Sequence, residues 1–559
     1  MINKETSIES KEYKKYKRAY EYAMDMTEKE CKQSCEGLFH NLNTLQSRAG
    51  DQLPFTSINY GTCTLPEGRM ITKALLNAAL NGVGKFHLTP IFPCCIFQYK
   101  KGINDKPGTP NYDLKQLAIK SLVRRIYPNF ANCDWSNQKS QIEYDRSMKQ
   151  EVLNNLSEDD KNKLIELIEK NSELEKKLSL KIEEKKLVID YEEQPYEMFS
   201  TMGCRTANGT DINFTKEDYL KNINEAINTG KIKSGEMLSS AQKDGRGNIA
   251  PATIILPTLA MEAKKKSEKN KTDIIEEFFK ILEKAIEDCR DELIERFNWI
   301  CAQSPKSAKF MYENHSMYGT NTNEGIKSEL KHGTLAIGQV GLAETIQILI
   351  GKNQLTKEGM ELAKKIEKLY NDKCTEYKKE FNLNFGVYYS PAENLCYTSM
   401  QKFQKKYGKI PNVSEKDYFT NSMHVPVWEK ITPFDKIDAE SQLTGYSNAG
   451  CITYVECGDN AKNNEKAVEQ IVDYAMDKDI PYFAINIPLD SCMKCGYQGS
   501  IDNECPICGA KDTGDGTNIQ RLRRVTGYLS QDFRNFNKGK QEEVEDRAKH
   551  TNQLNSWNK

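Results

Sequence analysis

A chain of 559 residues, 38% apolar and 28% charged, is long enough for one large domain with attachments or for two to four ordinary ones. Its net charge of −1 gives no global positive field, which argues against direct binding of nucleic acid through overall charge. No apolar run is long enough to span a bilayer, and the opening MINKETSIESKEYKKYKRAYEY lacks the apolar core of a signal peptide. No membrane partner and a cytoplasmic location are therefore expected.

Residues 1–50 read as helical, with Tyr20, Ala23, Met24, Leu38, Leu42 and Leu45 at helical spacing. LPFTSINYGTCTL predicts a strand over 53–63, EGRMITKALLNAAL an amphipathic helix, and KFHLTPIFPCCIFQY a second apolar strand. Strand, helix, strand is the rhythm of an α/β fold with buried parallel strands. Residues 146–190 differ. Leu164, Leu167, Ile168, Leu174, Leu178 and Ile182 form a rough heptad stripe in a highly charged segment, read as a solvated helical hairpin inserted into a loop. GRGNIAPATIILPTLA is a loop feeding a strand. Long helices are expected at 271–300 and 355–380, and FGVYYSPAENL, CITYVEC and IPYFAINIPLD read as strands ending in loops.

Seventeen cysteines without a secretion signal argue against a disulfide framework and for reduced, mostly buried thiols. Four of them form a pattern. Cys492-Met-Lys-Cys495 and Cys505-Pro-Ile-Cys508 are each followed by glycine, so each is a tight knuckle offering two thiolates. Two knuckles close a tetrahedral four-sulfur shell with no open position, which suits structural zinc; iron of the same spacing, or free thiols, would share the pattern. Cys204 stands in MGCRT between strand-like segments. It is either a small buried residue or a thiol whose pKa Arg205 lowers. No His or Asn stands at a recognised nucleophile spacing, so hydrolytic Cys–His chemistry has no support. Gly527, in RVTGYLS just after the knuckles, reads by itself as a turn needing positive φ.

Gly527 downstream of a CxxC…CxxC pair resembles the glycyl-radical segment of anaerobic (class III) ribonucleoside-triphosphate reductases. SINYGTC, TPNYDLKQLA, STMGCRT, GRGN, YYSPAENLCY, YFTNSMHVPV, ITPFDKI and RNFNKGK resemble the same family, in the family's order from about residue 20 onward. The resemblance implies a ten-stranded α/β barrel, here N-terminally incomplete, with a finger loop through its centre. It implies the following domains: an N-terminal helical segment (1–50); a catalytic barrel (51–485) with a charged insertion at about 146–190; a zinc-binding domain (486–515); and a glycyl-radical loop with a C-terminal tail (516–559). It assigns the radical to Gly527, the thiyl to Cys204, substrate or formate positioning to Asn248, and phosphate binding to Ser390, Pro391, Ala392 and Glu393. Read as residues alone, Asn248 is equally an ordinary turn asparagine and Ser390–Glu393 an ordinary helix cap, with Pro391 at the first helical position. The implied activity is anaerobic reduction of ribonucleoside triphosphates for DNA synthesis. A radical-SAM activating protein installs the radical, formate (or a thiol) is the reductant, and the assembly is a homodimer.

The resemblance starts partway into the family's catalytic domain. The strand that bears the family's second active-site cysteine falls outside it, as does the ATP cone. A separate N-terminal polypeptide completing the barrel is therefore expected. Cys63 is a candidate replacement thiol, although burial in a structural role is the favoured reading. The alternatives are another glycyl radical lyase and an inactive zinc-ribbon interaction fragment.

Overall fold

The computed structural model describes residues 11–45, 53, 55–190, 201, 205–233, 235–313, 324–525 and 528–550. Cys204 and Gly527 lie outside the described residues, but residues on both sides of each lie within them.

Three parallel strands come first: β1 (Ser57–Tyr60), β2 (Cys94–Tyr99) and β3 (Asn129–Asn132). The helices Pro66–Asn81 and Tyr112–Arg125 connect them, the crossover that parallel pairing requires. The helix Lys11–Thr44 packs its second half on the same core through Cys35 and Phe39. A hairpin, β4 (Leu180–Glu183) and β5 (Lys186–Ile189), follows. Next come β6 (Asn248–Ile255), β7 (Thr334–Val340) and β8 (Asn384–Tyr388), again all parallel. β9 (Thr453–Glu456) lies parallel to β10 (Tyr482–Asn486), and β10 runs antiparallel to β3. A parallel bridge, Tyr388 to Gly450, joins β8 to the approach to β9.

These pairings give one continuous order: β1-β2-β3-β10-β9-β8-β7-β6. Three strands of one direction meet five of the other. Eight strands of the expected ten-stranded barrel are thus in place. Among the described residues no strand pairs with the outer edge of β1 or of β6.

Register separates the two faces of this wall. Ile58 sits across from Cys95, Phe97 from Phe130, Phe130 from Phe483, and Ile485 from Val455; this face is apolar and buried against helices. The alternate residues, among them Asn59, Gln98, Asn129, Tyr482, Tyr454, Glu456 and Asn486, turn away from the helices and form a polar inner face. Cys94 shares that inner face, where its Sγ lies 3.9 Å from the Tyr482 hydroxyl. On β6–β8 the helix-side residues Ile254, Leu335, Ile337, Phe385 and Val387 pack on the long helices Ile274–Cys301 and Lys357–Phe381.

The insertion is not a solvated hairpin. Helices Ser136–Asn155, Glu158–Lys170 and Ser172–Leu178 pack with β4–β5 and the helix Lys216–Thr229 around their own core. Leu164, Ile168, Leu174 and Leu178, the stripe read as a heptad, are buried there against Tyr219 and Ile223. Most of the charged residues that suggested a solvated pair occupy the opposite face, as on any surface helix, while Lys149 is buried in an ion pair with Asp145 at 2.8 Å.

One buried carboxyl makes stability depend on pH. Glu367, on the helix Lys357–Phe381, is fully buried and accepts a hydrogen bond from the Gln339 amide of β7. Burial, only partly offset by Gln339 and Tyr389, pushes its carboxyl up from 4.5 to about 8. The folded state therefore keeps a proton that the unfolded chain releases near pH 4.5. The associated stability is fully present below that value and is lost as pH rises toward 8. Glu367→Gln, which keeps the acceptor and cannot ionise, should gain on wild type by about 3 kcal/mol between pH 4.5 and 7. Thermal melts of the two proteins across that range should diverge; parallel curves would show that Glu367 does not hold the proton.

Candidate active site and metal centre

The metal centre is built from local turns. In each knuckle the glycine N–H donates to the first cysteine's carbonyl: Gly496 to Cys492 and Gly509 to Cys505, both 2.9 Å. The first cysteine's own N–H donates across the turn, to Tyr497 and Ala510, both 2.8 Å. Gly496 and Gly509 have φ of +80° and +68°, a conformation that a side chain disfavours. At Gly496 a Cβ would also strike the Phe86 ring. The four Sγ atoms lie within 4.8 Å of one another, with Cys492–Cys508 and Cys495–Cys505 both at 3.6 Å. Thiolates on a tetrahedral zinc with bonds of about 2.3 Å stand roughly 3.8 Å apart, so the set fits that ion.

This centre is part of the sheet that leads to Gly527. β11 (Leu489–Cys492) ends at the first ligand and pairs with the short β12 (Gln498–Gly499). On its other side it pairs along its whole length with β13 (Ile519–Val525), Cys492 opposite Ile519. β13 turns back into β14 (Tyr528–Ser530), and Val525 pairs with Tyr528. Only Thr526 and Gly527 stand between that pair. The stem is anchored to the barrel by Arg524, which is buried, donates to Ile126 O at 2.9 Å and lies over the Tyr127 ring.

The segment carrying Cys204 is held from both sides of the barrel. Before it, Asn59 of β1 donates to Thr201 O at 3.2 Å and accepts from Thr201 N at 3.5 Å. After it, Arg205 donates to the Tyr454 hydroxyl of β9 at 2.9 Å. The Arg205 carbonyl sits where a Cβ on Gly450 would be, 2.5 Å from that position, so the close approach needs glycine there. Asn59 and Tyr454 are both inner-face residues. Sequence reasoning named neither as a site residue, although the polar–apolar alternation of Ser57-Ile58-Asn59-Tyr60 already placed Asn59 opposite the apolar face.

Asn248 reaches the same place. A bulge at the start of β6 sets Asn248 across from Thr334 but Ala250 across from Leu335, so Asn248 falls on the inner face. Its Nδ2 donates to Ala449 O at 3.1 Å, next to Gly450 and so next to Arg205. Its Oδ1 is buried and has no hydrogen-bond partner among the described residues, which is the setting for a ligand hydroxyl. Ser390 is buried at the far end of β6, its hydroxyl 2.8 Å from that of Thr253. The following helix, Glu393–Tyr407, starts two residues later than expected. Pro391 precedes the cap because Ala392, at ψ 66°, is not helical. No side chain caps this helix, leaving first-turn N–H groups for an anion, although Glu393 adds a carboxylate to that turn.

Cys63 is not buried. It is an exposed thiol in the loop after β1, its Sγ against the backbone of Gly68 in the first turn of the next helix. Buried Asn111 and Asn104 fix that loop: Asn111 donates to Gly61 O and Cys63 O, and Asn104 donates to Gly61 O. The run of β-branched and aromatic residues that predicted a strand to residue 63 ends at Tyr60, because Gly61 at φ +125° breaks the pairing.

A two-direction α/β barrel wall, a segment held at its inner face between β1 and β9, and a four-cysteine knuckle joined to a hairpin whose strands flank Thr526 and Gly527 define the class: an α/β barrel with a C-terminal hairpin tied to a candidate metal centre. A family model described as anaerobic ribonucleoside-triphosphate reductase matches residues 10–550, and the chain belongs to that family. It is similar to the anaerobic ribonucleoside-triphosphate reductase of Haemophilus influenzae, 30% identical over 544 residues, covering 95% of this chain and 63% of that protein. It is similar to that of Enterobacteria phage T4, 28% identical over 542 residues, covering 95% and 74%. Its fold resembles the crystal structure of the anaerobic ribonucleotide reductase from Thermotoga maritima in complex with dATP and CTP, with TM-score 0.56 at 15% identity over 90% of this chain and 67% of that one. The chain thus spans less than two thirds of the length of the Haemophilus influenzae relative. Among the described residues no helix is long and apolar enough to cross a membrane.

Proposed function

We propose that this chain carries the radical half-site of an anaerobic ribonucleoside-triphosphate reductase, which replaces the 2′-hydroxyl of a ribonucleoside triphosphate by hydrogen. The observation that carries the proposal is the meeting of Asn248, Arg205 and the Ala449–Gly450 turn on the inner face of a chain matched by the family model from residue 10 to 550. Gly527 holds the stored radical, because only a residue without a side chain lets its Cα become planar between an amide nitrogen and a carbonyl. Cys204 gives its thiol hydrogen to that radical and, as a thiyl, takes the ribose 3′-hydrogen. The 2′-hydroxyl then leaves as water. With formate as reductant the sum balances: ribonucleotide, formate and a proton give deoxyribonucleotide, carbon dioxide and water. A radical-SAM activating protein is the partner that makes the glycyl radical.

Asn248, with its free acceptor, receives a ribose hydroxyl. Five residues along β6, roughly 16 Å away, the Ser390 turn and the uncapped helix receive the phosphates; that spacing suits a nucleoside triphosphate. Cys492, Cys495, Cys505 and Cys508 hold zinc, which supplies no chemistry beyond bracing. Closure of the wall between β1 and β6 comes from two strands of polypeptide outside these 559 residues, whether in the same product or a separate one. A cytoplasmic homodimer is the assembly proposed.

The experiment is anaerobic activation of the chain, alone and with polypeptide supplying those strands, followed by electron paramagnetic resonance and product analysis. A glycine-centred doublet is expected in both samples, with deoxynucleotide at least tenfold higher when the strands are present. Full turnover by the chain alone would refute the closure, and absence of the doublet in both would refute the radical assignment.

A further inference from the structure

We propose that Arg547 is a positioning residue that fixes the Gly527 hairpin to the end of β9, next to the segment carrying Cys204. The proposal rests on the radical reading above for its consequence, but on contacts alone for its geometry. After β14 the chain forms the helix Lys538–Asp546, which returns to the barrel. Arg547 follows it, with a side chain about 10% exposed. Its guanidinium points three ways. Nη1 donates to Arg524 O of the hairpin stem at 2.8 Å, Nη2 pairs with Glu543 at 3.3 Å, and Nε faces Glu456 of β9 at 3.6 Å.

Each partner is itself fixed. Glu456 accepts from Asn486 of β10 at 2.6 Å, and Glu543 from Asn421 at 3.3 Å and from Lys540. The backbone on the far side is tied as well: Ala548 N donates to Val427 O at 2.8 Å, and Glu456 N donates to His550 Nδ1 at 3.1 Å. Burial alone would weaken the Arg547 charge, but Glu456 and Glu543 more than reverse this. Arg547 also lines a partly open cavity of about 30 Å3 together with Arg205, Tyr454 and His424. One side chain thus touches the hairpin stem and borders the space behind the residue next to Cys204. Hydrogen-atom transfer between two groups requires them to be held within contact distance. A planar fork that donates two hydrogen bonds and sets its charge against Glu456 meets that need, and a lysine ammonium on one flexible stem does not.

The test uses the full zinc-loaded chain with Arg547→Gln and Arg547→Lys. Hydrogen exchange should quicken at least tenfold at the amides of β13 and β14 in the glutamine variant and less in the lysine variant, with β1–β3 and the knuckles unchanged. In the activated, strand-completed enzyme, radical per chain should stay within twofold of wild type and KM for ribonucleotide within threefold. Turnover per radical should fall at least thirtyfold. Unchanged exchange in the hairpin, or unchanged turnover per radical, overturns the proposal. Exchange that quickens across the whole barrel also overturns it, since that assigns Arg547 to general stability. If the glutamine variant does not fold, the lysine variant decides: wild-type exchange and turnover there overturn the proposal, and hairpin-confined loosening supports it. A wild-type chain that forms no glycine-centred doublet, yet whose hairpin still loosens on substitution, would keep the positioning role and remove the radical reading.

Discussion

Gly527→Ala is expected to abolish both the glycyl radical and nucleotide reduction while leaving the fold intact. A methyl group replaces one of the two Cα hydrogens of glycine, and the side chain it adds crowds the planar Cα that the radical needs. The stem does not depend on the residue at its tip. Arg523 pairs with Ser530, Arg524 with Leu529 and Val525 with Tyr528, and Arg524 and Arg547 hold it from the barrel side. Circular dichroism and zinc content should match wild type, and the electron paramagnetic resonance doublet should vanish. Activity near wild type in the alanine variant would end the assignment. The companion substitution, Cys204→Ser, separates the two roles. The doublet should still form, and turnover should fall below detection, because a hydroxyl holds its hydrogen too strongly to pass it on. Measurable deoxynucleotide from the serine variant would move the thiyl to another residue.

The next largest effect is expected at the metal. Anaerobically purified protein should carry about one zinc per chain, and Cys492→Ser or Cys508→Ser should lose it. The loss should reach Gly527 before it reaches the barrel. Cys492 ends β11, and all four residues of β11 pair with β13, which runs directly into the hairpin stem. Arg521 and Arg523 add ion pairs from β13 to Asp490 of β11. The barrel core, by contrast, is built mainly from strands and helices outside the four-cysteine segment, with only Leu489, Leu522 and Leu529 of the metal-linked sheet entering it. Radical yield should therefore drop at least tenfold in the serine variants, with the barrel's melting transition little changed. Elemental analysis finding no zinc in wild type, or a full radical yield without it, would contradict this coupling.

What could be read directly from the residues was local. A CxxCG knuckle encloses its own geometry, since two thiolates, a glycine at positive φ and two backbone hydrogen bonds all fall within six residues. The helix expected at 271–300 is found at Ile274–Cys301 and that at 355–380 at Lys357–Phe381, because each carries its own apolar period and its own cap, Asp273 and Thr356. The family resemblance was likewise legible in short ordered motifs. Inside those motifs, however, the task of each residue was not. Asn59 and Asn111 stand in quoted stretches, yet that one grips Thr201 and the other clamps the Cys63 loop depends on partners 142 and 48 residues away.

Only the tertiary structure decided which residues share the inner face. Side-chain direction in a strand alternates with every residue, so one bulge at β6 moves Asn248 from the helix side to the site. The same holds for the insertion, whose leucines were legible as a stripe but not as a core, because the helix Lys216–Thr229 that covers them follows some 40 residues later. It holds most for Arg547. Nothing in its neighbourhood, EDRAKH, marks it out. Its surroundings are made by Glu456, Glu543 and Arg524, brought together from a barrel strand, the C-terminal helix and the hairpin. A sequence by itself determines turns, periods and ligand spacing because those interactions act over a few residues. The contact between a hairpin and a barrel strand is determined only when burial of the whole core fixes where both must lie.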